Sequence, residues 1–114
     1  MVLKSDLGSY RKSYSKNTIF KFKDFNNPLA LFSQWFKDFD KDITNSEVNA
    51  MSLSTISTDG FPKNRIVLLK EFNEAGFTFY TNYNSEKGLS ISKNNKVCLS
   101  FFWEEHQRLS LIHI

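Results

Sequence analysis

Cysteine is almost absent from this chain: Cys98 is the single one. That excludes an internal disulfide and a cysteine-based metal cluster. Its place inside the apolar run Val97-Cys-Leu-Ser-Phe-Phe-Trp103 reads as a small buried hydrophobe. No stretch approaches the ~18 apolar residues of a membrane span. The first fifteen residues hold Lys4, Asp6, Arg11 and Lys12 and no apolar run, which is not the pattern of a signal peptide. The expectation is a soluble, cytoplasmic protein with no membrane partner. Neither sign of charge dominates: a net charge of +3 permits an anionic ligand without demanding nucleic acid. His106 and His113 lack metal-ligand spacing, and no nucleophile–base pair of the hydrolytic kind is visible.

Phenylalanine, by contrast, is abundant, with twelve in 114 residues. A chain of this length forms at most one small domain with a modest core. Large rings bury much area each, so that core should be aromatic and β-rich. Asn27-Pro28 predicts a helix start, because proline at the first helical position costs no hydrogen bond. Leu29, Phe32, Trp35, Phe36 and Phe39 then recur at spacings of three and four, one apolar face to lie against a sheet. Thr44-Asn-Ser-Glu47 has the form of a capping box.

From Met51 to Trp103 the pattern changes to short strands and turns. Residues 51–57, 64–70 and 77–81 are expected to form an antiparallel meander, joined by turns at Thr58-Asp-Gly60 and Asn73-Glu-Ala-Gly76. A fourth strand is expected over residues 97–103. The contiguous Ile66-Val-Leu-Leu69 suggests a second strand covered on both faces. Between the third and fourth strands, residues 85–93 read as a short helix with Ser85 as N-cap. A helix start presents free N–H groups and a partial positive charge, which suits phosphate. Lys87 lies in that first turn, and Arg65 and Lys70 lie on the second strand. Five residues separate those two, so simple alternation puts them on opposite faces. Arg65 is the better phosphate ligand, since its planar fork matches phosphate oxygens.

Three blocks, Asn64-Arg-Ile-Val-Leu-Leu-Lys70, Gly76-Phe-Thr-Phe-Tyr-Thr-Asn82 and Ser85-Glu-Lys-Gly88, resemble the pyridoxamine 5′-phosphate oxidase family in order and approximate spacing. The resemblance covers roughly residues 10 to 108 and the first half of a typical member. It implies an α+β, mainly β fold: an incomplete FMN-binding split β-barrel with an N-terminal helix packed on an antiparallel sheet. It implies FMN-dependent oxidation of pyridoxine or pyridoxamine 5′-phosphate to pyridoxal 5′-phosphate by dioxygen, in a homodimer with FMN between the subunits. Flavin then carries the hydride chemistry and protein supplies position and charge. The cofactor contacts implied are Arg65, Ile66, Val67, Leu68, Leu69, Lys70, Tyr80, Thr81 and Lys87. Lys70 together with Arg11, Lys12, Ser13 and Tyr14 would meet substrate. Glu86 departs from the pattern, because many members carry arginine there and a carboxylate repels phosphate.

By the same resemblance, residues 1–26 form an arm and residues 27–108 the N-terminal part of the barrel domain. After Arg108 the family's glutamine is missing. Leu109-Ser-Leu-Ile-His-Ile114 is what CTGTCTCTTATACACATC encodes, similar to the end of a transposon used in library construction, so residues 109–114 are read as a non-native tail. Such a fragment is expected to be inactive and prone to associate, with apolar faces around Leu68, Phe79, Leu99 and Phe101 partly uncovered. Two other classes compete: a non-catalytic flavin-binding barrel module, and a basic, aromatic nucleic-acid-binding barrel. The phenylalanines sit mostly at strand-core positions, which disfavours the last.

Overall fold

In strand β1, Ala50–Ile56, burial alternates strictly, and that alternation sets the two faces of the main sheet. Met51, Leu53 and Thr55 point to one side and are buried, while Ser52, Ser54 and Ile56 point to the other. The computed structural model describes residues 6–11, 13, 27–42 and 47–113. Lys12, Tyr14 and most of the proposed capping box, at 44–46, lie outside the described residues.

Around β1 the order of the sheet is β2-β1-β5-β6, with β2 Pro62–Leu68, β5 Cys98–Trp103 and β6 Arg108–His113, all antiparallel neighbours. Strands β3, Glu71–Asn73, and β4, Gly76–Thr78, form a separate hairpin. The expected meander is therefore corrected. The third segment does not add to β2; it turns back on β3, and β5 takes the place beside β1. The reason is visible at the end of β2. The Leu69 N–H still donates to Asn49 O at 2.8 Å, but the Lys70 N–H donates to Thr78 O at 2.8 Å, so the chain leaves the main sheet there.

The two turns form where expected. In the β1–β2 turn, Gly60 takes a φ of +86°, and Asp59 accepts from the Ser57 hydroxyl and from the Phe61 N–H. In the β3–β4 turn, the Asn73 side chain accepts from the Ala75 N–H at 2.8 Å. Helix α1, Pro28–Asp42, starts at Asn27, whose side-chain oxygen accepts from the Ala30 N–H at 2.8 Å.

Helix α1 lies on the Met51–Leu53 face. Phe32 is the hub: its ring centroid is 5.1 Å from each of Phe72, Phe77 and Phe101 and 5.6 Å from Trp103. Phe39 stacks on Trp103 at 5.6 Å, and the Trp103 indole N–H donates to Val48 O at 3.2 Å. Edge-on contacts of this kind add to the area the rings bury. Met51, Leu53, Val67, Leu69, Leu99, Phe101 and Trp103 complete the core.

Among the described residues nothing covers the other face of the sheet. Ile66 is 68% exposed on β2, and Phe102, Leu109 and Leu111 are exposed on β5 and β6. Two expectations are corrected here. The β2 strand is buried on one face only, through Val67, and Leu99 and Phe101 are core residues rather than uncovered ones. A sheet with one covered face alternates, and contiguous apolar residues on β2 simply place half of them outside. Residues 109–113 pair with β5 in regular register. No helix among the described residues is long and apolar enough to cross a membrane.

Candidate functional site

The site is built where β2 meets helix α2, Glu86–Lys93. Arg65 stands opposite Leu53 in the β1–β2 ladder, so its side chain shares the helix-covered face with Leu53 and Thr55. The guanidinium is half-buried, and one of its nitrogens donates to Thr55 Oγ1 at 2.7 Å and Leu53 O at 3.2 Å. A guanidinium has five N–H groups in a fixed fork, so this anchoring leaves donors to spare.

Helix α2 begins at Ser85, whose hydroxyl accepts from the Gly88 N–H at 3.2 Å and donates to Asn82 O at 2.7 Å. One hydroxyl thus ties the preceding loop to the helix start. Thr81 Oγ1 lies 3.5 Å from the same hydroxyl. A Cβ added at Gly88 would stand 2.5 Å from Tyr83 O and 2.8 Å from Asn82 O, so only glycine permits the loop to lie this close. Lys87 is half-buried in the first turn. The leading amides of the helix have no intrahelical acceptor and carry the positive end of its dipole.

Strand and helix start are joined by an ion pair: Lys63 Nζ lies 3.0 Å from Glu86 Oε1. A hydrogen bond from the pair and the charge of Glu86 raise the Lys63 pKa; Asp59 adds to this and Arg65 opposes it. Glu86 therefore does not stand as a bare carboxylate beside the cations. Lys63 is two residues from Arg65 on the same face, a parity legible in the sequence that the sequence reading did not use.

The remaining residues divide. Lys70 follows the end of β2 and is exposed, with its N–H bonded to Thr78 O at 2.8 Å where the chain passes to the β3–β4 hairpin. Val67 and Leu69 have core side chains. Leu69 also has both backbone groups bonded to Asn49, its N–H to the Asn49 carbonyl at 2.8 Å and its C=O to the Asn49 amide at 2.9 Å. Ile66 is exposed and Leu68 half-buried on the opposite face. Among the described residues β2 is an edge strand, so its outer backbone groups face no other strand. Tyr80 is 76% exposed. Arg11 and Ser13 are exposed, with nothing placing them at the site.

This donor set fits a phosphate monoester: the Arg65 guanidinium, the Lys87 ammonium, the Thr81 hydroxyl and a helix start, beside an edge strand whose outer backbone can meet a flat ring system. Of two surface depressions, one of about 620 Å³ is lined by Thr55 and Pro62 together with Cys98 and His113, and one of about 460 Å³ lies beside Phe32 and Leu111.

The architecture is that of the split-barrel fold, of which the described residues form an open rather than a closed part. It is similar, with a TM-score of 0.76 over 85% of this chain and 48% of the other, to PhzG from Burkholderia lata at 22% identity. It is also similar, with a TM-score of 0.65 over 76% of this chain and 45% of the other, to a pyridoxamine 5′-phosphate oxidase-related, FMN-binding protein from Nostoc punctiforme at 16% identity. Residues 39–112 match the family model described as pyridoxamine 5′-phosphate oxidase. The chain belongs to that family. Curated relatives include the pyridoxine/pyridoxamine 5′-phosphate oxidases of Flavobacterium johnsoniae, 53% identical over 95% of this chain, and of Haemophilus influenzae, 41% identical over 90%. The chain spans about half the length of each, 50% and 49% respectively.

Proposed function

We propose that this chain contributes the FMN-phosphate half of an oxidase that converts pyridoxine or pyridoxamine 5′-phosphate to pyridoxal 5′-phosphate, with dioxygen as the final acceptor. The observation that carries the reading is the Lys63–Glu86 bridge, which ties β2, two residues from Arg65, to the start of α2, where Ser85 caps the helix and Lys87 lies in the first turn. FMN, when bound, supplies the hydride acceptor and the route to dioxygen. The protein's part is position and charge. Arg65, Lys87 and Thr81 would hold the phosphate, with Ser85 fixing the loop and helix start that present them. The outer backbone edge of β2, from Arg65 to Leu68, and the Tyr80–Thr81 segment would hold the flavin. Thr55 fixes the guanidinium so that little side-chain freedom remains to be lost on binding.

Lys70, just past the end of β2, would meet substrate rather than phosphate. Arg11, Lys12, Ser13 and Tyr14 are assigned to substrate on the resemblance alone. A homodimer with FMN at the subunit interface, acting in the cytoplasm, belongs to the same proposal, and so does a non-native origin for residues 109–114.

The test is to purify the chain, titrate it with FMN by flavin fluorescence, and assay pyridoxal 5′-phosphate formation. FMN binding with little or no turnover is the expected result, since the chain covers half of its relatives' length. Failure to discriminate FMN from riboflavin would remove the phosphate site. Turnover by a longer form carrying the same residues separates an oxidase from a flavin-binding module.

A further inference from the structure

We propose that Lys63 is an additional phosphate-directed cation of this site, parked on Glu86 until the anion arrives. The inference rests on the reading above and adds to it a residue that the sequence reading did not assign.

Three observations support it. Lys63 and Arg65 are two apart on β2 and face the same side. Arg65 reaches back to Thr55, and Thr55 is the cross-strand partner of Lys63, so the guanidinium lies over the Lys63 rung of the ladder. The Lys63 ammonium then extends to the first residue of α2, at 3.0 Å from Glu86, next to Lys87 in sequence. Lys63 and Lys87 thus stand at one helix start with the carboxylate of Glu86, Arg65 is near enough for its charge to act on Lys63, and Asp59 acts on Lys63 more weakly from the turn.

The pair is suited to exchange. Its side chains are 44% and 65% exposed, and exposed ion pairs are weak because water screens them. A phosphate dianion carries more charge and three acceptor oxygens, and the helix start favours it further. Lys63 has a flexible four-carbon stem and a rotatable ammonium, so it can turn from Glu86 to phosphate without moving the strand. Arg65, held by Thr55, is the fixed contact and Lys63 the adjustable one.

The experiment compares FMN with riboflavin, which lacks the phosphate, by fluorescence titration of the chain and its Lys63→Gln, Lys63→Met, Lys63→Arg and Arg65→Ala variants, with thermal melting to verify folding. Lys63→Gln and Lys63→Met should each weaken FMN roughly 3- to 10-fold and leave riboflavin unchanged. Lys63→Arg should restore most of the loss, and the effect should shrink as salt rises. If the neutral variants keep the preference for FMN while Arg65→Ala loses it, Lys63 is not a phosphate contact and the wider reading stands. Equal losses for both flavins would make Lys63 structural and overturn the inference. A parent chain without preference for FMN would overturn both readings together.

Discussion

Arg65 donates to Thr55 Oγ1 at 2.7 Å across the β1–β2 ladder, and Thr55 is only 2% exposed. A buried hydroxyl thus fixes the orientation of a half-buried cation. Arg65→Ala should weaken FMN by roughly 1.5–3 kcal/mol, ~10- to 100-fold, as expected for loss of a charged hydrogen bond. Thr55→Val keeps the shape and removes the anchor, and should cost about 1 kcal/mol in binding. Flavin fluorescence titration of both variants measures this, and equal affinity for parent and Arg65→Ala would take Arg65 out of the site.

At the helix start, Lys87→Ala should weaken FMN more than Glu86→Ala. Only Lys87 complements phosphate, whereas removing Glu86 frees Lys63 and lowers local negative charge, so Glu86→Ala should leave affinity unchanged or raise it. Paired titrations at one salt concentration decide the order. A larger loss for Glu86→Ala would reverse the assignment of which side chain meets the ligand.

Gly88→Ala should disrupt the loop, since the new Cβ would stand 2.5 Å from a backbone oxygen that cannot swing away. Both the α2 start and the Asn82–Ser85 hydrogen bonds depend on that close approach. The expected outcome is a drop of several degrees in Tm together with weakened FMN binding. Gains in helix propensity, about 1 kcal/mol for alanine over glycine, act the other way, so an unchanged Tm would show that the loop relaxes freely.

Phe32→Ala removes the ring that touches Phe36, Phe72, Phe77, Phe101 and Trp103. Truncating a buried phenylalanine typically costs about 3–5 kcal/mol. Chemical denaturation should show a loss of that size, and a much smaller value would mean that α1 contributes little to holding the sheet.

The β1–β2 turn supplies a pH test. The Ser57 hydroxyl, then the Phe61 N–H and, more weakly, Lys63 hold the Asp59 carboxyl below its ordinary value of 3.8. A lowered folded-state value favours folding above 3.8 and loses that contribution as pH falls through the folded value. The turn should therefore be unchanged from pH 7 to 5 and loosen below about pH 4. Amide exchange at Gly60 and Phe61, corrected for intrinsic rates, reads this directly, and Asp59→Asn should abolish the pH dependence.

Local chemistry was the legible part of this chain. Pro28, the Asp59-Gly60 turn, the Ser85 cap and the 3.6-residue stripe of α1 each follow from one side chain acting on nearby backbone, and the structure has them all. Pairing was less legible. Nothing in Phe77-Thr-Phe states whether it joins β2 or β3, because that choice is made by the Lys70–Thr78 and Leu69–Asn49 backbone bonds. The coverage of β2 was misread for a related reason: four contiguous apolar residues report hydrophobicity, not what packs on each face. Within the site, Arg65 and Lys87 stood out by type and motif. Lys63 did not, since its role depends on a partner 23 positions away that only the packing of α2 on β1 brings near.

Because β2 places Val67 in the core and Arg65 on the same side, and Ile66 in the open on the other, flavin affinity at the proposed phosphate site would also report strand register. Sliding β2 by a single residue against β1 would bury Ile66, eject Val67 and point Arg65 away from α2. A one-residue insertion in the 57–61 turn therefore trades a plausible apolar core for the loss of the anion site. Flavin affinity becomes a gauge of alignment between two strands, sensitive to errors that circular dichroism, which counts strand content, would pass unnoticed.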